Sequence, residues 1–140
     1  MKWYWEKAEE LGRTEPVISA CGDDCAVCPR FLARTEAELR ETAELWYRFG
    51  WRDRVVSNEE IRCEGCGSRS GCSFGILPCR KERGVTDCAG CGEYPCGRIR
   101  SLTENTDEKA AQYRKMCDNE AELALLTRAF LEKGRNLPHK

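Results

Sequence analysis

Ten of the eleven cysteines in this 140-residue chain fall into three short groups: Cys21-x3-Cys25-x2-Cys28, then Cys63-x2-Cys66 with Cys72 and Cys79, then Cys88-x2-Cys91-x4-Cys96. Three of the steps are CxxC. A CxxC turn lets two thiolates converge on one ion while backbone N–H groups between them point at the sulfurs and stabilise their charge. Two such turns make a tetrahedral site. The chemistry that joins these thiols depends on the compartment. Met1-Lys2-Trp3-Tyr4-Trp5-Glu6-Lys7 meets polar residues before any apolar run of signal-peptide length, and no later stretch has the apolar length of a membrane span. The expected place is therefore the cytoplasm, with no membrane partner, and there thiols stay reduced. Metal ligation is the reading that uses all ten.

The segment from Cys63 to Cys96 strengthens it, with seven cysteines and seven glycines in 34 residues, interrupted by Pro78 and Pro95. Little apolar mass is available there to offset the conformational entropy of ordering the chain, so cross-links are needed. Cys63-Glu64-Gly65-Cys66-Gly67 and Cys88-Ala89-Gly90-Cys91-Gly92 repeat a CxGCG pattern, with glycine where a knuckle can require positive φ. The two knuckles stand 21 residues apart, within the reach of a zinc ribbon or cross-braced site, which makes Cys63, Cys66, Cys88 and Cys91 the leading quartet. Cys21, Cys25 and Cys28 then take a fourth partner from Cys72, Cys79 or Cys96. Two zinc ions are the expected cofactor, and three metals sharing bridging thiolates remain an open arrangement. Closed four-thiolate zinc sites suit such a knot, and structural zinc in small fingers contributes about 10 to 16 kcal/mol at neutral pH. The eleventh cysteine, Cys117, sits alone in a helical pattern and reads as core.

The surroundings read as helical. Lys2 to Leu11 is expected as one short amphipathic helix with Trp3, Ala8 and Leu11 toward the core and Gly12 as its stop. Val17 to Ala20 is an apolar run, a short strand or a buried extended segment. Thr35 with Glu38 forms a capping-box pattern ahead of a helix through Phe49, whose Leu39, Ala43, Trp46 and Phe49 make a core stripe, and Gly50 ends it. Ser57 and Glu60 repeat the cap signal before Cys63. From Asp107 to Lys133 a longer pattern puts Tyr113, Met116, Cys117, Leu123, Ala124, Thr127, Phe130 and Leu131 on one apolar face, with Asn119 and Glu122 spaced as a cap that splits it into two helices near Asp118. The fold class is thus a small α-rich, metal-stabilised irregular fold, with helices flanking a cysteine-rich zinc knot and little or no β-structure. One domain is expected over 1–140, with a cysteine-rich core at 18–102 and a C-terminal helical segment at 105–134.

Cys21-x3-Cys25-x2-Cys28 is similar in spacing to the cluster motif of radical S-adenosylmethionine enzymes. Those enzymes need a long barrel of alternating strands and helices, and this chain has neither the length nor the strand periodicity. Thiolate sets also hold iron–sulfur clusters, so an iron–sulfur or reactive-thiol protein handling redox or sulfur chemistry is the alternative. A closer resemblance runs through Ser19-Ala20-Cys21-Gly22-Asp23-Asp24-Cys25-Ala26-Val27-Cys28-Pro29, Cys63-Glu64-Gly65-Cys66 and Gly84-Val85-Thr86-Asp87-Cys88-Ala89-Gly90-Cys91-Gly92-Glu93-Tyr94-Pro95-Cys96. Together these resemble the domain of unknown function 3795 family of bacteria and archaea over about residues 18 to 102. The resemblance implies a cysteine-rich zinc-binding module, and it carries the family's cysteines over to Cys21, Cys25, Cys28, Cys63, Cys66, Cys79, Cys88, Cys91 and Cys96. It implies no activity. The Ile-Arg pair common in the family before the cysteine matched by Cys79 is replaced here by Ile76-Leu77-Pro78.

Charge narrows the partners. Formal net charge is -1, so no global bias draws the chain to nucleic acid or anionic membrane. Between Arg62 and Arg100, Arg62, Arg69, Arg80, Lys81, Arg83, Arg98 and Arg100 outnumber Glu64, Glu82, Asp87 and Glu93. A zinc with four thiolates is formally doubly negative, so these arginines are expected to offset thiolate charge and donate to sulfurs. A nucleic-acid-binding zinc protein, with Tyr94 and Phe74 stacking on bases, is the second alternative. Histidine occurs once, as His139, so no His-based triad or His-rich catalytic zinc site exists. The expected function is a zinc-binding module with a structural metal, acting in binding or interaction with an unassigned, possible protein partner, and not an enzyme.

Overall fold

The computed structural model describes residues 1–65 and 75–138. Among these the chain is helical, with no strand and a single antiparallel bridge between Ile18 and Asp24. The elements are α1 (Lys2–Trp5), α2 (Ala8–Leu11), a 3-10 turn (Cys25–Val27), α3 (Pro29–Leu32), α4 (Glu36–Arg48), α5 (Asn58–Ile61), α6 (Ile76–Arg83), a second 3-10 turn (Cys88–Gly90), α7 (Gly97–Ser101), α8 (Thr106–Met116), α9 (Glu120–Phe130) and α10 (Lys133–Asn136). None is long and apolar enough to cross a membrane.

The cap signals are obeyed. Thr35 Oγ1 accepts from the Glu38 amide at 3.1 Å while the Glu38 carboxylate accepts from the Thr35 amide at 3.3 Å, a reciprocal box that starts α4. Leu39, Ala43, Trp46 and Phe49 are all buried, and Gly50 leaves the helix at φ 79. Ser57 Oγ accepts from the Glu60 amide at 3.2 Å and starts α5. Asn119 Oδ1 accepts from the Glu122 amide at 2.9 Å and starts α9, so the long C-terminal pattern is two helices.

Three expectations are corrected. The N-terminal helix is two single turns broken at Glu6 and Lys7, because neither piece has a side-chain cap and four residues supply too few internal bonds to propagate. Tyr4 is the fully buried residue of the first turn, its hydroxyl donating to Val27 O at 2.5 Å, while Trp3 packs partly buried against the same core. Val17 and Ile18 are not buried: half or nearly half of each is exposed, since the segment forms a tight loop closed by Ser19 N to Asp23 O and Cys25 N to Val17 O. Finally, the inward face of α9 is broader than the expected stripe: Leu123, Phe130 and Leu131 do pack on the larger core, but Glu122, Leu125, Leu126 and Ala129 are its most buried residues and Ala124 is exposed.

Two cores result. The larger joins α1, α2, the Cys25 turn, α3, α4, α8 and α9, and its centre is an edge-to-face aromatic stack: Trp46 on Trp51 at 4.9 Å, Trp46 on Phe130 at 5.8 Å, and Phe49 on Tyr113 at 5.4 Å. Cys117 caps α8 and packs half-buried against this core. Burial pushes its thiol up to about 11. The smaller core contains, among the described residues, Cys21, Ile76, Ile99, Leu102 and Leu137, with Ala20, Cys88, Tyr94 and Cys96 packed on it.

Two buried carboxylates tie α9 to the N-terminal half. Glu122, fully buried, accepts from the Met1 amino group at 2.7 Å. Asp24, 2% exposed, accepts from Arg128 Nε at 2.9 Å, and Arg128 also donates to Leu11 O and Thr14 O at 3.0 Å each. Removing one partner leaves the other charge buried and unpaired. Asp24→Ala is therefore expected to cost about 3 kcal/mol in urea unfolding monitored by far-UV circular dichroism. Cys117→Ser should cost only about 1 kcal/mol in the same measurement, the loss of a small buried contact.

Candidate metal centre

The first cysteine arm is a 3-10 turn held from both ends. Asp24 caps it, Oδ1 accepting from the Ala26 amide at 3.1 Å and the Val17 amide at 3.0 Å, so the aspartate beside Cys25 serves as a cap and not as an acid. Cys28 N donates to Cys25 O at 3.2 Å, which closes the CxxC step into one turn. Pro29 then opens α3 with Cys28 as its N-cap, the Cys28 carbonyl accepting from the Phe31 and Leu32 amides at 3.1 and 3.0 Å. Burial pushes the Cys28 thiol far up. Cys21 is also buried, 3.2 Å from Ser19 Oγ, and its thiol is pushed up to about 11, chiefly by desolvation.

The second arm enters beside the first. Arg30, two residues after Cys28, donates from Nε to Ile61 O at 2.6 Å and from Nη2 to Glu60 O at 3.1 Å, fixing the chain just before Cys63. Gly65 has φ 112, as the knuckle pattern requires, and a Cβ there would stand 3.8 Å from the Phe31 ring. Cys66 and Cys72 lie outside the described residues, as do Phe74 and His139.

The third arm has its own frame. Cys79 lies on α6, which starts at Gly75 and ends at Gly84, both left-handed. Asp87 caps the second 3-10 turn, its Oδ1 accepting from the Gly90 amide at 3.2 Å, and Cys91 N donates to Cys88 O at 3.1 Å. Gly90 is thus not at positive φ, and this knuckle is not a copy of the one at Cys63. It is a copy of the first: Asp24-Cys25-Ala26-Val27-Cys28 and Asp87-Cys88-Ala89-Gly90-Cys91 share one capped turn. That Asp-Cys-Ala-x-Cys repeat is a stronger guide to local structure than CxGCG, because the carboxylate fixes the turn that spaces the two thiols. After the cis Tyr94–Pro95 bond, Cys96 becomes the N-cap of α7.

Arg83 joins the arm together. Its guanidinium bonds the Cys79 sulfur, stands 4.0 Å from Cys91 Sγ and pairs with Glu93 at 2.5 Å. It is the arginine-to-sulfur donation expected from the charge pattern. Cys79 and Arg83 also border an open cleft of about 420 Å³, with Gly75, Pro78, Glu82 and Arg98 completing its wall. Next to Cys79, Arg80 holds a buried Nε–H with no acceptor among the described residues.

No disulfide links any two described cysteines. Among the described residues no three Cys, His, Asp or Glu side chains are grouped tightly enough to hold a metal ion. The donor chemistry fits zinc in kind: thiol pairs across single capped turns and a guanidinium at the sulfurs of Cys79 and Cys91.

A family model described as Protein of unknown function (DUF3795) matches residues 17–101, which takes in all three arms and stops before α8. No curated protein and no solved structure matches the chain. The matched span covers more than half of the sequence, and the chain belongs to the DUF3795 family.

Proposed function

We propose that the chain is a zinc-binding module of the cytoplasm in which two zinc ions, held by thiolates drawn from the ten grouped cysteines, cross-link a segment that cannot hold itself together. The metal is structural, and the module acts in binding or interaction rather than catalysis. The observation that supports this reading is the contrast between the two cores. The larger is rich in stacked aromatics and needs no help. The smaller has Ile76, Ile99, Leu102 and Leu137 as its buried aliphatics, yet it must order everything from α6 to α7. That segment carries Cys79 on α6 and Cys88, Cys91 and Cys96 in and after the second 3-10 turn, all partly buried. Thiolate–metal bonds are the strongest cross-link those residues can make in a reducing compartment.

Purified without oxygen, the full chain is expected to be colourless, to contain about two zinc ions by elemental analysis, and to lose helical signal in the third arm on chelation. A brown preparation containing iron overturns the zinc reading. Cys88→Ser should release one ion and open the third arm to limited proteolysis, while the aromatic core, followed by tryptophan fluorescence, keeps its fold.

A further inference from the structure

The three thiols of Cys21-x3-Cys25-x2-Cys28 are not held by the same part of the fold. We propose that residues 133–138 form a strap that closes over the Cys21 loop and opens on its own, so that Cys21 is a gated thiol while Cys25 and Cys28 stay fixed to the helical body. The basis is the packing of the loop, independent of what the thiols bind.

The Cys25–Cys28 turn is fastened from the side of α9. Asp24 N donates to Ala129 O at 3.0 Å, and the Asp24 carboxylate takes Arg128 Nε at 2.9 Å. The loop just before it is fastened by different residues. Asn136 Nδ2 donates to Gly22 O at 3.0 Å, and Lys133 pairs with Asp23, both side chains largely buried. The fit at Gly22 is close: a Cβ there would stand 2.9 Å from Leu137 Cγ and 3.0 Å from both the Cα and the carbonyl oxygen of Lys133. Leu137 and Cys21, 4% and 6% exposed, are buried in the same small core. Beyond Leu137, Pro138 O accepts from the Tyr94 hydroxyl, so the far end of the strap is held by the third arm. Little else holds it down. α10 is a single turn with no side-chain cap, and Leu137 is the one buried residue of 133–138. A segment anchored by one apolar side chain and a few polar contacts opens at a lower free energy than a helix packed along its length, such as α9. Leu131 and Glu132 leave helical geometry between α9 and α10, which places a hinge ahead of the strap. Opening uncovers the Gly22–Asp23 backbone and withdraws Leu137 from the core that buries Cys21, while Asp24 keeps its bonds to α9.

The test uses the full chain as purified. Amide exchange is followed residue by residue by NMR, and alkylation of each cysteine by iodoacetamide is followed by peptide mass spectrometry. Leu137→Ala removes the strap's buried anchor, and Asn136→Ala removes only its bond to Gly22 O. Both variants should speed exchange at the Ser19 and Gly22 amides, which close the Cys21 loop, and speed alkylation of Cys21, by about tenfold for Leu137→Ala. Exchange at Asp24, Ala26 and Leu39 and alkylation of Cys28 should keep their wild-type rates. Equal acceleration at Leu39 and Cys28 means that the whole body has loosened, and it overturns a strap that opens on its own. Unchanged rates at Gly22 and Cys21 in Leu137→Ala show that the strap does not cover the loop. Faster exchange at Gly22 with unchanged alkylation of Cys21 removes the gate on the thiol. Zinc is counted on the same samples, so a chain without zinc sinks the metal reading and leaves the strap standing.

Discussion

The Asp24 carboxylate is the constraint on which the rest of the structure hangs. One oxygen accepts from the amides of Val17 and Ala26 and so shapes the turn that spaces Cys25 from Cys28. The other takes the Arg128 guanidinium, whose remaining nitrogens reach back to Leu11 and Thr14. Its own amide donates to Ala129 O. One buried residue thereby joins α2, the first cysteine turn and α9, elements far apart in sequence. A buried carboxylate is costly unless each lone pair is used, and here the uses are structural links. The first CxxC is consequently fixed by the helical body before any metal enters the argument.

The third arm has a different source of order. Asp87 repeats the capping role of Asp24 but sits exposed, with no guanidinium partner among the described residues. The same local sequence has therefore been placed in two environments. In the first, burial against α9 holds the turn. In the second, the turn relies on Arg83, Glu93 and the small core beneath Cys88 and Cys96. The exposed Arg83–Glu93 pair adds little by itself, since surface ion pairs contribute about 0 to 1 kcal/mol. The C-terminal tail helps by bridging both arms: Lys133 pairs with Asp23, Asn136 Nδ2 donates to Gly22 O at 3.0 Å, and the Tyr94 hydroxyl donates to Pro138 O. Gly22 is required for that contact, because at φ 92 any Cβ would stand 2.9 Å from Leu137 Cγ.

Sequence legibility followed the range of the interaction. Caps and glycine stops are local, so the starts of α4, α5 and α9 could be read from Thr35, Ser57 and Asn119 alone. The stripe of α4 was equally legible, because an uninterrupted helix keeps its phase. The inward face of α9 was legible in part: Leu123, Phe130 and Leu131 pack on the larger core as their spacing implies, whereas the burial of Leu125, Leu126 and Glu122 and the exposure of Ala124 follow from the restart at Asn119. Tyr4 went inward because its hydroxyl finds Val27 O, a partner 23 residues on. The local form of the cysteine turns was legible in part: the glycine pattern holds at Gly65, which has φ 112, and not at Gly90, where the Asp87 carboxylate sets the turn as Asp24 does before Cys25.

The basic excess around the third arm is consumed within the fold. Arg83 is committed to two sulfurs and Glu93, and Arg98 donates from Nη1 to Gly75 O at 2.8 Å, which pins the start of α6 to α7. Arg80 has its Nε–H buried. A phosphate-binding surface needs guanidiniums that present several donors outward together, since backbone phosphates are recognised by clustered, accessible cations. Arg83 and Arg98 instead turn donors toward the chain, and the physical role that follows is internal: Arg98 ties the start of α6 to α7, and Arg83 ties the end of α6 to Cys91 and Glu93, so that α6, the Cys88 turn and α7 are held to one another by buried aliphatics and by these two cations together.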